Sequence, residues 1–377
     1  HRGLDEVFTF WGARPPRTTF GGVSQLEPDT CARGRDGEPR TRRYYSLRFG
    51  DADRESEQAL QRLDDLMRSS VGLRTRADVP VGGYLSGGLD SSITCALAAE
   101  RSPHDLRTFS VTFEDPALDE SEYQLDLADD LGSDHAVTHI DRDAIADVFP
   151  GVVRHAETPL VRTAPAPLYL LSRLTQDENI KVVLTGEGAD ELFYGYDLFK
   201  ETAVRRFCLR QPDSEWRPRL FDRLYPYLDG ARGTFWRRFF LDAGSPDDLL
   251  FSHLPRFQLT SRIKEFYSDE TEERLGDFDA MEEFREELPE EFGSWSHLQR
   301  AAYLEMETLL PSYLLSSQGD RMAMAHSVEG RFPFLDHRLY EYAASLPDRS
   351  KLRVLSEKDI LRRWAKDVVP ERLADRP

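Results

Sequence analysis

A chain of 377 residues is long enough to bury a sizeable core in two domains. Its formal net charge of −19, from 68 acidic against 49 basic residues, excludes a general affinity for nucleic-acid backbones, which want basic faces. No apolar run is long enough to cross a bilayer, there is no signal-peptide pattern, and the cysteines Cys31, Cys95 and Cys208 have neither metal nor redox spacing, so no membrane partner and a reducing cytoplasm are expected.

Residues 1 to about 50 carry Pro15-Pro16 and a Gly/Arg/Asp-rich patch from Ala32 to Arg43, without long periodicity. Alone this stretch is too small to fold, so it reads as the end of another unit, with a boundary near residue 50. Beyond it, Leu60, Leu63, Met67 and Val71 mark one face of a helix that leads to an apolar strand at Val79.

That strand breaks into Ser86-Gly87-Gly88-Leu89-Asp90-Ser91-Ser92 and then into an apolar helix from Ile93. Gly87 and Gly88 permit a tight turn with exposed amides, and Ser91 and Ser92 fall where a helix begins with unpaired N–H groups and a positive dipole end. Such a turn cradles an anion. Asp90 beside a phosphate site implies a divalent cation between the two charges, so the stretch asks for a magnesium-bound polyphosphate. No Gly-Lys-Ser/Thr follows, so it is not a Walker loop.

Further strands are expected at Arg107–Phe113, His135–Ile140 and Lys181–Leu184, with a helix over Glu122–Leu131. The alternation predicts an α/β fold built on a doubly wound, mostly parallel sheet. His135 and His139, four apart on a strand without an accompanying Glu, read as structural rather than as zinc ligands. Asp119-Glu120-Ser121-Glu122 reads as an acidic helix start. Lys181-Val182-Val183-Leu184 runs into Thr185-Gly186-Glu187-Gly188-Ala189-Asp190-Glu191, where three carboxylates crowd one strand-end turn. At the carboxyl end of a strand this turn should share a crevice with the Ser/Gly loop, and clustered acids imply a metal or a proton-accepting role.

From Asp197 to about Leu310 the chain is largely helical in spacing, with Phe207, Phe235, Trp236, Phe239 and Phe240 expected in the core and Glu282–Glu291 expected as a solvated face. Farther on, Glu329, Arg331 and Asp336 beside Pro333 suggest buried ion pairing that fixes a loop. Lys358, one of six lysines, reads by default as exposed.

Taken together, Ser86–Ser92, Leu184–Tyr196 (LTGEGADELFYGY), Val328–His337 (VEGRFPFLDH) and Lys358–Arg362 (KDILR) resemble the motifs of the synthetase domain of glutamine-dependent asparagine synthetases, within the N-type ATP pyrophosphatases. The resemblance implies an adenine nucleotide alpha hydrolase-like fold with a largely helical C-terminal half. It implies residues 51–377 as the ATP-dependent synthetase domain and 1–50 as the tail of an N-terminal glutaminase domain, without its cysteine nucleophile. It further implies adenylation of a carboxylate, most simply aspartate, with release of pyrophosphate, then attack by glutamine-derived ammonia to give asparagine and AMP.

In that scheme Ser86, Gly87, Gly88, Ser91, Ser92 and Gly186 hold the nucleotide with Asp90, Val111 touches adenine, and Asp90 and Asp190 share magnesium. Glu187 matches the general base and Lys358 the residue that stabilises charge. Arg162-Thr163 stands where many asparagine synthetases carry an Asp-Ser-like pair, so the acyl acceptor can differ from aspartate, whereas Glu187 separates the chain from β-lactam synthetases, which resemble it but carry tyrosine there. A natural-product or peptide amide-forming enzyme, such as a lasso-peptide cyclase, and a non-catalytic ATP-binding regulator are the alternatives. Quaternary state stays open, a homodimer being one arrangement.

Overall fold

Short apolar strands alternating with helices build the sheet that positions everything else. The computed structural model describes all residues except 35–38, 51–54, 102–105, 226–233 and 377, together with the side chains of 234–236, so the expectations for Phe235 and Trp236 lie outside the described residues. An antiparallel ribbon, β1 (Thr30–Arg33) and β2 (Arg40–Arg43), precedes the main sheet. The sheet contains β3 (Val81–Tyr84), β4 (Arg107–Phe113), β5 (Asp134–Ile140), β6 (Val182–Leu184) and β7 (Glu329–Arg331), in the order β5-β4-β3-β6-β7. All four pairings are parallel, with Gly83 of β3 opposite Thr108 of β4 and Leu184 of β6. The chain winds outward from β3 through β4 and β5, then returns to β6 on the other side, which puts a topological switch point between β3 and β6. The doubly wound architecture expected from the sequence is present, and after β6 the described chain holds one further strand among helices.

One face of the sheet is covered by the helix Leu89–Ala99, whose Ile93, Cys95 and Leu97 are buried among Leu63, Met67 and Val71 of the helix Ala59–Arg74 and Ile360, Leu361 and Trp364 of the helix Asp359–Ala365. Each such aliphatic or aromatic side chain contributes about 1.5–3 kcal/mol on burial. On the other face Tyr84, Phe109 and Val183 pack with Leu171 and Val328.

A second apolar cluster lies in the helical half and includes Phe257, Phe284, Phe292, Trp295 and Leu304. Phe10 joins it edge-on, 4.8 Å from Phe257 and 5.5 Å from Phe284. Phe10 ends a helix, Arg2–Phe10, in the stretch where no long periodicity is visible; nine residues are too few to sustain a period, and packing decides the conformation. The acidic stretch from Glu282 is less solvated than expected, because Glu283 and Glu287 pair with Arg17 and Arg14 of the N-terminal segment. Phe240 is buried, while Phe207 and Phe239 are partly so. His135 and His139 sit on β5 with their Nδ1 atoms 2.8 Å from Thr108 Oγ1 and 3.2 Å from Thr112 Oγ1, in keeping with a structural role. No helix among the described residues is long and apolar enough to cross a membrane.

Candidate active site

At the carboxyl end of β3 the backbone turns through Ser86, Gly87 and Gly88 into the helix Leu89–Ala99, with Gly87 in the left-handed region (φ 80°) that the turn requires. The turn is tied internally: the Ser86 amide donates to Ser91 Oγ (3.1 Å), and the hydroxyls of Ser91 and Ser92 donate to the Gly88 carbonyl (3.1 and 2.7 Å). Gly88 is the N-cap and offers no side-chain cap, so the first amides of an eleven-residue helix are left for an anion.

The adjacent strand, β6, runs into Thr185-Gly186-Glu187-Gly188-Ala189-Asp190. Lys358, buried at 8 % exposure and not exposed as its sequence context suggests, joins this turn to the Ser/Gly loop. Its Nζ lies 2.6 Å from Asp90 Oδ2 and 2.7 Å from Asp190 Oδ1. Burial alone would discharge the lysine, but Asp190 and Asp90 outweigh it and hold the ammonium above its ordinary range. Burial also pushes Asp90 upward, against the pull of Lys358.

The other Asp90 oxygen, Oδ1, is buried without a hydrogen-bond partner. Among the described residues no group of three or more His, Cys, Asp or Glu is placed to hold a metal. A pair of carboxylates with one orphaned oxygen nevertheless fits magnesium, which takes one or two protein carboxylates and completes its shell with phosphate and water.

Glu187 stands one turn from Asp190 and accepts a hydrogen bond from the Thr185 hydroxyl. Burial raises its carboxyl above the ordinary glutamate range, which suits a proton acceptor. Behind it, Glu191 accepts from Tyr196 Oη (2.9 Å) and is pushed up to about 8 by burial.

A cavity of about 770 Å³ gathers the two turns, with Lys358 and Glu191 not among its lining residues. Ser86, Gly88, Asp90, Ser91, Val111, Gly186, Glu187 and Asp190 line it, whereas Ser92 is fully buried and ties the turn from within. Around Val111 the wall is Phe109, Ser110 and Phe113 of β4, with Gln124, which donates to the carbonyls of Val111 (3.1 Å) and Ser86 (3.3 Å) and keeps a buried, unpartnered Oε1. Gln124 carries no signal in the sequence that separates it from an ordinary helix residue. The same holds for Trp11, Arg256 and Tyr313, which reach the cavity from three remote segments.

Glu329, Arg331 and Asp336 are not among the lining residues. Only Asp336 is a buried ion-pair partner, accepting from Arg338 (2.8 Å) and Arg74 (3.1 Å) and held well below the usual carboxylate range, first by its bond to Arg338. Glu329 is exposed and pairs with Arg331 (2.7 Å), so that ion pair is present but not buried, and Arg331 also donates to the carbonyls of Arg74 and Arg76, both at 2.8 Å. Together these contacts anchor the segment after β7.

Fold and cavity define a doubly wound α/β protein in which an anion loop, an acidic turn and a buried lysine meet at the switch point. The chain belongs to the asparagine synthase family, whose model matches residues 62–377. It is 29 % identical to asparagine synthetase [glutamine-hydrolyzing] 1 of Bacillus subtilis, over 99 % of this chain and 57 % of that protein. It is 31 % identical to amidase chyE of Penicillium rubens, over 92 % of this chain and 55 % of the relative, and 27 % identical to amidase chry2 of Gibberella zeae, over 94 % and 57 %. The chain thus spans a little over half the length of these relatives.

Proposed function

We propose that this chain performs ATP-dependent amide synthesis through an acyl-adenylate. The observation that carries the reading is the contact of one buried ammonium with carboxylates from both switch-point turns, 2.6 and 2.7 Å away, beside the raised carboxyl of Glu187. ATP lies with adenine against β4 near Val111 and its phosphates over the Ser86–Ser92 loop. Asp90 and Asp190 would hold magnesium, which neutralises phosphate charge when bound. A substrate carboxylate oxygen bonds to the α-phosphorus as the bond to the bridging oxygen breaks, and pyrophosphate leaves with the electron pair. Ammonia then attacks the carbonyl carbon, Glu187 takes a proton from nitrogen, and AMP departs. Lys358 supplies positive charge where negative charge develops.

Aspartate is the simplest acid for this chemistry, giving asparagine, with residues 1–50 as the end of a glutaminase unit that supplies ammonia in the cytoplasm. The fungal amidases and Arg162 favour a second reading, amidation of a different carboxylic acid. Asparagine formation from aspartate, ATP and ammonium separates the two.

The roles are tested by Glu187→Gln. Acid-dependent exchange of pyrophosphate into ATP should persist, while amide formation falls about 10²–10⁴-fold, the range for loss of a positioned base. Undiminished amide yield would remove Glu187 from the proton transfer.

A further inference from the structure

Part of the cavity wall is built for something other than the nucleotide. Trp11 at the end of the helix Arg2–Phe10, Arg162 in the loop before the helix Pro165–Asp177, Arg256 on the helix Leu254–Ser261 and Tyr313 on the π-helical run Leu310–Asp320 all line it. They form one cluster. The Arg162 guanidinium lies 5.2 Å from the Trp11 ring centre and 5.9 Å from that of Tyr313, Arg256 lies 5.8 Å from Trp11, and the two rings meet edge to face at 5.6 Å.

What Arg162, the Tyr313 hydroxyl and Nη2 of Arg256 lack is an acceptor. Arg162 makes no ion pair among the described residues. Tyr313 is only 1 % exposed, yet its hydroxyl has no partner. Arg256 pairs through Nη1 with Glu305 (2.8 Å), while its Nη2 is buried and unpartnered. Burial pushes the Tyr313 phenol up to about 12, so it keeps its proton and serves as a donor. Leaving buried donors unpaired is costly unless a guest meets them.

The acids on the cavity wall are compensated in charge. Asp90 and Asp190 share Lys358, Glu120 pairs with Arg376, Asp197 with Lys200 (3.1 Å), and Glu201 with Arg205 (3.5 Å), although Asp90 Oδ1 and Glu201 Oε1 accept no hydrogen bond. Apart from Glu187, each acid already has a cation beside it, whereas Arg162 has no anion among the described residues. Trp11 is the C-cap of the helix Arg2–Phe10, in the left-handed conformation (φ 76°) in which helices commonly end, and its indole is fixed by a 2.9 Å bond to Thr260.

We propose that Arg162, Tyr313 and Arg256 form an anion subsite that selects carboxylic acids carrying a second anionic group at the far end and no compensating ammonium, with Trp11 positioning the Arg162 guanidinium. The proposal rests on the carboxylate-activating function above and narrows its substrate class: an amine-free or amine-blocked diacid rather than zwitterionic aspartate. Arg162, a base where many relatives in the resemblance have an acid, is its specificity-determining residue.

The test uses glutarate and 5-aminopentanoate, equal in length and opposite in charge at the far end, with aspartate as a third probe. Binding is measured by calorimetry in the presence of an ATP analogue with a methylene bridge between the α- and β-phosphorus atoms. Glutarate should bind at least tenfold more tightly than either competitor. Arg162→Ala should abolish that preference without changing affinity for the analogue, Arg162→Lys should retain part of it, and Arg162→Glu should favour 5-aminopentanoate. Equal binding of the three acids, or a preference unchanged in Arg162→Ala, would overturn the subsite. Pyrophosphate release with ATP is measured separately on the same acids. Charge-selective binding that depends on Arg162 without release sustains the subsite and removes the activating function, while release without such selectivity does the reverse.

Discussion

Glu187 lines the cavity and Lys358 lies behind its wall against Asp90 and Asp190, and the two are perturbed in opposite senses of charge. The lysine is kept charged by two carboxylates, and the glutamate is pushed toward neutrality by burial. A glutamate whose folded pKa is raised favours its protonated form in the native state, so its contribution to stability is present below the ordinary value of 4.5 and is lost as pH rises through the folded pKa. Its proposed service as a base follows the reverse course, since only the ionised form accepts a proton. Amide formation should therefore show an acid limb above the ordinary glutamate range, and pyrophosphate exchange, which does not use this base, should lack that limb. Measuring both pH profiles checks this; the same limb in each would place the titrating group in adenylation.

At this scale Asp90, Glu187 and Asp190 are legible in the chain because glycines flank carboxylates at strand ends. Lys358 is legible only through the resemblance of Lys358–Arg362, since on its own an isolated lysine before a helix looks solvated until the sheet brings two distant turns onto it.

Elements differ in how openly they declare themselves. β4 is dominated by β-branched and aromatic residues and β5 carries Val137, Thr138 and Ile140, and both strands, seven residues each, are visible in the sequence. β7 is Glu-Gly-Arg, three residues with no strand propensity of their own, and it exists because β6 and Lys181 just before it offer a partner edge. The helix Arg2–Phe10 is similarly decided by its docking against the helix Leu254–Ser261.

The short helix Ala189–Phe193 and the turn after it illustrate how tightly an element can be bound to chemistry. A Cβ on Gly195 would stand 1.9 Å from Asp190 Oδ1 and 2.1 Å from Lys358 Cε. Gly195→Ala should therefore keep the far-ultraviolet dichroism of the fold while lowering pyrophosphate exchange about 10²-fold, the usual consequence of displacing a catalytic group by an ångström. Exchange at the unaltered rate would mean that the contact of Lys358 with Asp190 is dispensable.

Across the whole molecule the cavity has two parents. The parallel sheet supplies the nucleotide end through the carboxyl ends of β3, β4 and β6, a placement that alternating strands and helices foretell from sequence. The helical half and the N-terminal segment supply Trp11, Arg256 and Tyr313, and nothing in their local patterns announces it, because aromatic and arginine side chains at helical spacing build cores equally well. The net charge of −19 leaves selectivity for an acidic substrate to a local constellation rather than to the overall field.

The central claim is that a substrate carboxylate attacks the α-phosphorus of ATP. Carboxylate labelled with oxygen-18, turned over with ATP and ammonium, tests it directly by mass spectrometry of the products. One labelled oxygen should appear in AMP and none in pyrophosphate; AMP free of label, or label in inorganic phosphate beside ADP, would contradict the acyl-adenylate and the account built on it.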